Sequence, residues 1–274
     1  MHIGIIGFGN IASALLVLLA ERHPGRLDAI TILVRTGKGG ETRALCARQS
    51  GIAARTITVV ETREDLLAAR PDFIIECAGH QAVITHGAAI LASGIDLVLV
   101  SVGALADVSL HQALAAAAGN GGSRLVLLPG AIGGIDLLAA LSVMGDVAIT
   151  YNGSKPPNAW AGSAAEQAID LANISERTVF FRGTAREAAL AYPKNANVAA
   201  TLALAAGSFD AVTVELAADP AALGNVHAYE VRSAAGSVSM TIGNAPSAGN
   251  ARTSQATVLS VCREIINRLG PVAI

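Results

Sequence analysis

The stretch Gly7-Phe8-Gly9-Asn10-Ile11-Ala12 begins at the last residue of the apolar run His2–Gly7 and opens a run of helical character. Gly7 permits a tight turn, Gly9 lets a ligand approach the backbone, and the small Ala12 lets helix and strand pack closely. The helix N-terminus then presents its N–H groups to phosphate. The pattern therefore predicts a dinucleotide site in an α/β domain, and its first residues are Gly7, Gly9, Asn10, Ile11 and Ala12.

Beyond this turn, short β-branched runs alternate with Ala/Leu-rich runs up to about residue 130, a pattern typical of βαβ units. The runs are almost wholly apolar, which predicts a parallel sheet covered on both faces. The predicted strands are His2–Gly7, Ala29–Val34, Thr56–Val60, Asp72–Cys77, Leu97–Val102 and Arg124–Leu128.

After Pro129 the runs become longer and alternate between apolar and polar residues, which favours a mixed or antiparallel sheet. The predicted fold class is therefore α/β, with an N-terminal Rossmann-type parallel sheet and a second α+β domain. We expect a dinucleotide-binding domain over 1–131 and a substrate and dimerisation domain over 132–252. The amphipathic segment 253–274 is predicted to form a helix that packs back on the first domain.

Composition narrows the class of partner. The chain has 274 residues, of which 52% are hydrophobic and 15% charged, with a net charge of −2. No apolar run reaches the roughly 20 residues that a membrane-spanning helix needs, and no basic field favours nucleic acid. Three widely spaced cysteines predict neither a metal site nor disulfides, which is typical of a cytoplasmic protein. A small-molecule partner is expected.

The ends of the predicted strands indicate which dinucleotide binds. The second strand is followed by Arg35, with no carboxylate at its tip, and a basic side chain there can hold the 2′-phosphate of NADP. We therefore expect NADP to be accepted at least as well as NAD. The alternative is that Arg35 is an ordinary solvated charge. Cys77, Ala78 and Gly79 lie at the end of the fourth strand and are predicted to line the same cofactor site.

Polar residues are concentrated in four segments of the second domain, and two of the chain's three lysines lie there. Lys155 and Lys194 both lie next to prolines, where each either binds a substrate carboxylate or is simply solvated. Asn195 is a further substrate candidate, or an N-cap of the following helix. The four segments are Pro129–Asp136, Ser154–Trp160, Tyr192–Ala200 and Asp219–His227.

These segments, together with the glycine turn and Glu76-Cys77-Ala78-Gly79, resemble the L-aspartate dehydrogenase family over nearly the whole chain. The resemblance implies reversible NAD(P)-dependent oxidation of L-aspartate to iminoaspartate, then oxaloacetate and ammonia, as a step that can feed NAD biosynthesis. It implies that His227 is the active-site residue and that Ala131 and Asn197 contact the cofactor. A homodimer is also expected.

His227 suits this chemistry on its own terms, because imidazole exchanges protons near neutral pH. Asp219 either orients its ring or caps a turn. Two alternatives to the aspartate assignment stay open. One is a two-domain reductase of similar build that acts on homoserine or dihydrodipicolinate, and the other is a non-catalytic dinucleotide-binding sensor.

Overall fold

The structure is a computed structural model that describes residues 1–23, 25, 27–49, 53–193, 196–247 and 250–273. The chain forms two compact units. The first consists of Met1–Leu128 with Thr257–Ile274, and the second of Pro129–Ala256. No helix within the described ranges has the length and apolar character needed to cross a membrane.

The first unit contains a six-stranded sheet in which every neighbouring pair is parallel, with the strand order β3-β2-β1-β4-β5-β6. This order, with its crossover at β1, is that of a Rossmann-type sheet and confirms the predicted fold class. The strands are β1 (His2–Ile6), β2 (Leu27–Leu33), β3 (Ala54–Val60), β4 (Phe73–Glu76), β5 (Asp96–Leu99) and β6 (Leu125–Leu127).

Helices connect these strands, as the βαβ pattern predicts. The fifth strand is shorter than the predicted Leu97–Val102, because Val102–Ala106 forms a buried 3-10 helix instead. The α-helices are α1 (Asn10–Arg22), α2 (Gly39–Gln49), α3 (Arg63–Ala68), α4 (His80–Ala92) and α5 (Val108–Gly121).

The second unit is built on a five-stranded mixed sheet with the order β11-β10-β7-β9-β8. Only β7 and β9 are parallel neighbours, and the other pairs are antiparallel, as the alternating pattern predicts. A two-stranded sheet, β12 with β13, was not predicted. The strands are β7 (Ala148–Lys155), β8 (Thr178–Thr184), β9 (Val212–Ala218), β10 (Asn225–Ser233), β11 (Gly236–Asn244), β12 (Pro246–Ser247) and β13 (Asn250–Ser254).

The helices of this unit are short. The first begins directly after Gly134, which has a left-handed backbone with φ of 70°. Pro157–Trp160 forms a 3-10 helix. The α-helices are α6 (Ile135–Ser142), α7 (Ala165–Ala168), α8 (Ala185–Ala191) and α9 (Asn197–Ala205).

The last helix, α10 (Gln255–Leu269), contributes to the core of the first unit. Its buried residues recur at the spacing of one helical face. Beyond them, Arg268 donates to the Asp96 carboxylate at 3.0 Å and lies over the Phe73 ring. The buried face consists of Val258, Val261, Cys262 and Ile265.

Candidate active site

The glycine turn of the first unit has the geometry that its sequence predicts. Gly7 has φ of 86°, and its N–H donates to the Leu33 carbonyl at 2.8 Å. A Cβ on Gly7 would lie 2.7 Å from Ala78 Cβ and 2.9 Å from Ala78 Cα. Both the backbone conformation and this close approach require glycine. The turn therefore brings Gly7 and the predicted residues Ala78 and Gly79 together at one edge of the sheet.

Gly9 and the start of α1 can accommodate the phosphates of a dinucleotide. No atom lies within 4 Å of a Cβ built on Gly9, so the space beside this backbone is open. Gly9 is the N-cap and has no side chain of its own to cap the helix, and the first turn carries no acidic residue. The positive end of a 13-residue helix is thus available to an anion. Ile11 lies in the first turn, and Ala12 is fully buried.

Glu76 organises the neighbouring loops, and sequence analysis did not single it out. Its fully buried carboxylate accepts hydrogen bonds from Ala78 N at 2.7 Å and Gly79 N at 2.6 Å. It also accepts from Ser101 N at 3.0 Å and Ser101 Oγ at 3.1 Å. Burial raises the pKa of Glu76, and these hydrogen bonds oppose the rise. A glutamate that ends the apolar strand Phe73–Glu76 is the signal that could have revealed it.

Cys77 follows Glu76 in the chain and precedes the loop residues Ala78 and Gly79. Burial, and then the charge of Glu76, raise the pKa of the Cys77 thiol well above its ordinary value. A thiol in this state is a neutral, weakly nucleophilic group. Its chemistry here is therefore that of a small side chain in the loop wall.

The loop after β2 differs from the expectation in one respect. Arg35 is exposed there, but Glu61, which follows the adjacent β3, accepts hydrogen bonds from Gly37 N and Gly39 N, both at 2.9 Å. The tip of β2 itself carries no carboxylate, as its sequence shows, but the Glu61 carboxylate reaches the loop that follows it. Adjacent parallel strands end at the same edge, so a residue 26 positions after Arg35 reaches the same loop. Lys38 forms an exposed ion pair with Glu41.

In the second unit, His227 lies on β10 in register with Gly153 of β7. The side chains of β10 alternate between buried and more exposed, and His227 belongs to the buried set with 2% exposure. Its Nδ1 lies 2.8 Å from the Tyr151 hydroxyl. Its Nε2 is buried and has no hydrogen-bond partner among the described residues. Buried polar atoms are normally paired, so Nε2 is an atom that a ligand can satisfy.

Lys155 is the last residue of β7 and is 4% exposed, so it is not the solvated lysine that its position beside Pro156 also allowed. Its Nζ lies 5.0 Å from the ring centroid of Trp160, a fully buried core residue. Burial lowers the pKa of Lys155 to about 8. Burial, and then the charge of Lys155, lower the pKa of His227 to about 3. His227 is therefore neutral at pH 7 in the ligand-free protein.

The remaining predicted residues are distributed over the second unit. Asp219 caps a turn through Ala221 N at 2.9 Å, and its own N–H donates to the Lys155 carbonyl, so the turn-capping alternative holds. Ala131 is fixed through its carbonyl, which accepts from Asn244 Nδ2 at 2.8 Å. Asn197 is the first residue of α9, one position after the N-cap. Lys194 and Asn195 lie outside the described residues.

Comparison with known proteins gives each part of the chain a match. Residues 7–128 match the family model "Homoserine dehydrogenase, NAD binding domain", and residues 136–268 match "Aspartate dehydrogenase, C-terminal". The fold, the glycine turn and these two matches define a nicotinamide-dependent dehydrogenase whose cofactor is NAD or NADP.

Similar proteins identify the family. L-Aspartate dehydrogenase of Cupriavidus taiwanensis is 42% identical, and that of Pseudomonas aeruginosa 41% identical, each with full coverage of both chains. The crystal structure of aspartate dehydrogenase from Thermotoga maritima superposes with a TM-score of 0.74 at 25% identity, covering 100% of this chain and 99% of that one. The chain belongs to the L-aspartate dehydrogenase family.

Proposed function

We propose that the protein catalyses the reversible NAD(P)-dependent oxidation of L-aspartate to iminoaspartate, which is hydrolysed to oxaloacetate and ammonia. Family membership supports the substrate. The observation that carries the residue assignment is the buried pair formed by His227, whose Nε2 has no partner among the described residues, and the cation Lys155. Together they provide a proton-exchanging atom beside a positive charge.

The first unit supplies the groups that hold the cofactor. The backbone at Gly7 and Gly9 and the N-terminus of α1 bind its phosphates, and the loop Cys77–Gly79 lies at the same edge of the sheet. When bound, the nicotinamide ring supplies the acceptor for the hydride that leaves Cα of aspartate. Ala131 and Asn197 of the second unit are proposed as further cofactor contacts.

Lys155 is proposed to bind a carboxylate of the substrate. A buried ammonium binds a carboxylate strongly, because little water screens the pair. The charge of the carboxylate favours the protonated lysine, so binding raises the pKa of Lys155 above about 8. We propose that Lys194 and Asn195 assist in substrate binding, on the grounds of their position in the polar segment Tyr192–Ala200.

His227 is proposed to act as the general acid and base. In the oxidative direction its Nε2 accepts a proton from the water that adds to the imine carbon, and it returns a proton as ammonia leaves. The low pKa of His227 suits the first step, because the ring is neutral and able to accept a proton. A substrate carboxylate beside Lys155 offsets the charge that lowers this pKa, so the imidazolium becomes easier to form once substrate is bound.

The decisive experiment follows NADH and NADPH consumption with oxaloacetate plus ammonia, in the wild type and in His227→Gln. We expect ammonia-dependent turnover in the wild type and a loss of roughly 10²- to 10⁴-fold in kcat for the variant. Cofactor binding, followed by the fluorescence of the reduced nicotinamide, should be unchanged in the variant. Wild-type protein that binds the cofactor without ammonia-dependent turnover would show a sensor instead, and turnover on homoserine alone would show a different reductase.

Four further expectations belong to this proposal. We propose a homodimer in the cytoplasm with small-molecule partners and no nucleic-acid partner. The support is the low charged fraction of 15%, the net charge of −2 and three dispersed cysteines. Sedimentation analysis with and without cofactor measures the oligomeric state directly.

A further inference from the structure

Tyr151 is the group that holds the imidazole of His227. The tyrosine lies on β7 and is 1% exposed, and its hydroxyl oxygen is 2.8 Å from His227 Nδ1. The two rings are stacked, with 21° between their planes and 6.1 Å between their centroids. The hydrogen bond and the stacking together fix where Nε2 points.

The strand makes room for this contact at a single residue. Gly153 lies two positions after Tyr151 on the same face of β7, directly opposite His227. A Cβ on Gly153 would lie 2.6 Å from the Tyr151 hydroxyl oxygen and 3.1 Å from Leu216 Cδ2. The absent side chain at position 153 is therefore what allows the phenol to lie across the strand and reach the imidazole.

The partner of His227 is also electrically neutral. Burial raises the pKa of Tyr151 above its ordinary value, so the hydroxyl keeps its proton over the whole working range of pH. A carboxylate in this position would stabilise an imidazolium by its charge. A hydroxyl orients the ring and leaves the charge balance to Lys155 and the substrate.

We propose that Tyr151 is a positioning residue for His227, whose hydroxyl oxygen accepts the Nδ1–H hydrogen bond and thereby leaves Nε2 as the ring atom that exchanges protons. The inference rests on the proposed acid–base role of His227. A ring with Nδ1 protonated presents a lone pair on Nε2 when neutral and a proton on Nε2 when charged. Both forms donate the same hydrogen bond to Tyr151, so the ring changes protonation state without turning.

Tyr151→Phe removes the hydroxyl and keeps the ring. We expect kcat to fall roughly 10- to 100-fold, as for other partners that orient a catalytic imidazole, with the KM for aspartate changed less than about 3-fold. Tyr229→Phe is the matched control. Tyr229 lies opposite Tyr151 in the sheet and is equally buried, but its hydroxyl donates to the Gly133 carbonyl. This control should keep kcat within about 3-fold of the wild type.

Gly153→Ala tests the same contact without removing the hydroxyl. The new Cβ displaces the phenol from His227, so kcat should fall by a similar factor. In the double variant with Tyr151→Phe the hydroxyl that collides is absent, so the two losses should not multiply. Multiplying losses would mean that the glycine and the tyrosine act separately, which overturns the proposal. This variant also keeps the proposal testable if Tyr151→Phe does not fold.

Ring-nitrogen NMR on ¹⁵N-histidine protein gives a readout independent of turnover. The chain has six histidines, and His227→Gln identifies the signals of His227. In the wild type at pH 7 we expect Nδ1 protonated and Nε2 bare, with the Nε2–H form appearing in Tyr151→Phe. A wild-type ring protonated at Nε2 overturns the inference and leaves the proposed function intact. Full activity of His227→Gln would instead overturn the acid–base role itself.

Discussion

The cofactor end of the first unit and the His227 cluster of the second unit are built in opposite ways. The glycine turn presents backbone N–H groups and a helix N-terminus, and it has no side chains at Gly7 and Gly9. The His227 cluster consists instead of buried side chains, Tyr151 and Lys155, and burial displaces their pKa values. In the proposed mechanism, accessible backbone therefore binds phosphate, whereas side chains held away from water exchange protons.

After the loss of His227 itself, the largest effect should come from removing the buried cation. Lys155→Met is expected to lower kcat/KM for aspartate roughly 10²- to 10³-fold, because it removes the partner of a desolvated carboxylate. Cofactor affinity, measured by nucleotide fluorescence, should stay within about 2-fold of the wild type. If kcat/KM for aspartate and the affinity for the cofactor fell by the same factor, the two regions would not act separately.

Lys155→Met should also change how the free energy of unfolding and kcat/KM depend on pH. The pKa of Lys155 is about 8 in the folded protein and 10.5 ordinarily. Between these two pH values Lys155 therefore binds fewer protons in the folded chain than in the unfolded chain. The wild-type free energy of unfolding should therefore rise with pH over this window relative to Lys155→Met. In activity assays, wild-type kcat/KM for aspartate should fall as pH rises through about 8. Denaturant titrations at pH 7 and pH 10 compare the two proteins.

A second prediction separates backbone architecture from ligand binding in the glycine turn. Gly9→Ala places its Cβ in open space with an ordinary backbone conformation, so the melting temperature should hardly change. Cofactor affinity should fall roughly 10²-fold, because the methyl group blocks the approach of phosphate to the backbone. Gly7→Ala is the contrast. Its clash with Ala78 and its positive φ should destabilise the fold itself.

Glu76→Gln should have an intermediate effect. The amide carries donors where the carboxylate has only acceptors, so part of the hydrogen bonding from Ala78, Gly79 and Ser101 is lost. We expect a stability loss of about 1–3 kcal/mol and roughly a 10-fold weaker cofactor affinity. Calorimetry and nucleotide titration measure the two quantities. A cofactor affinity equal to that of the wild type would show that this carboxylate serves only the fold.

The smallest effect is expected at the exposed Arg35. Arg35→Ala should weaken NADP binding about 5-fold, since exposed ion pairs contribute up to about 1 kcal/mol, and leave NAD binding unchanged. Arg22→Ala, an exposed arginine in the last turn of α1, is the matched control. Equal effects on NAD and NADP would mean that Arg35 does not contact the 2′-phosphate.

The two regions also differ in how far the sequence predicts them. The glycine turn predicted the fold and its own backbone geometry, because the positive φ of Gly7 is a local property of the turn. The close approach of Gly7 to Ala78 depends in addition on the pairing of β1 with β4. Lys155 stood out by its rarity, but its burial depends on β7 ending inside the unit beside Trp160.

Two residues were missed for the same reason. Tyr151 looks like any core tyrosine in an alternating strand, and its contact with a residue 76 positions later depends on the pairing of β7 with β10. Glu61 reaches the Arg35 loop only because β2 and β3 are neighbours. Pairing between distant segments is a property of the whole sheet, which local patterns do not encode.

The path of the chain through the first unit has a consequence for biosynthesis. Its core includes Val258, Val261 and Ile265 of α10, whereas the second unit is one continuous stretch, Pro129–Ala256. Because a chain leaves the ribosome from its N-terminus, the second unit is synthesised before the first unit has received its last helix. A nascent chain that still lacks α10 leaves the apolar core of the first unit without these residues throughout the synthesis of the second unit. The core of the cofactor domain is therefore complete only once α10 has been synthesised.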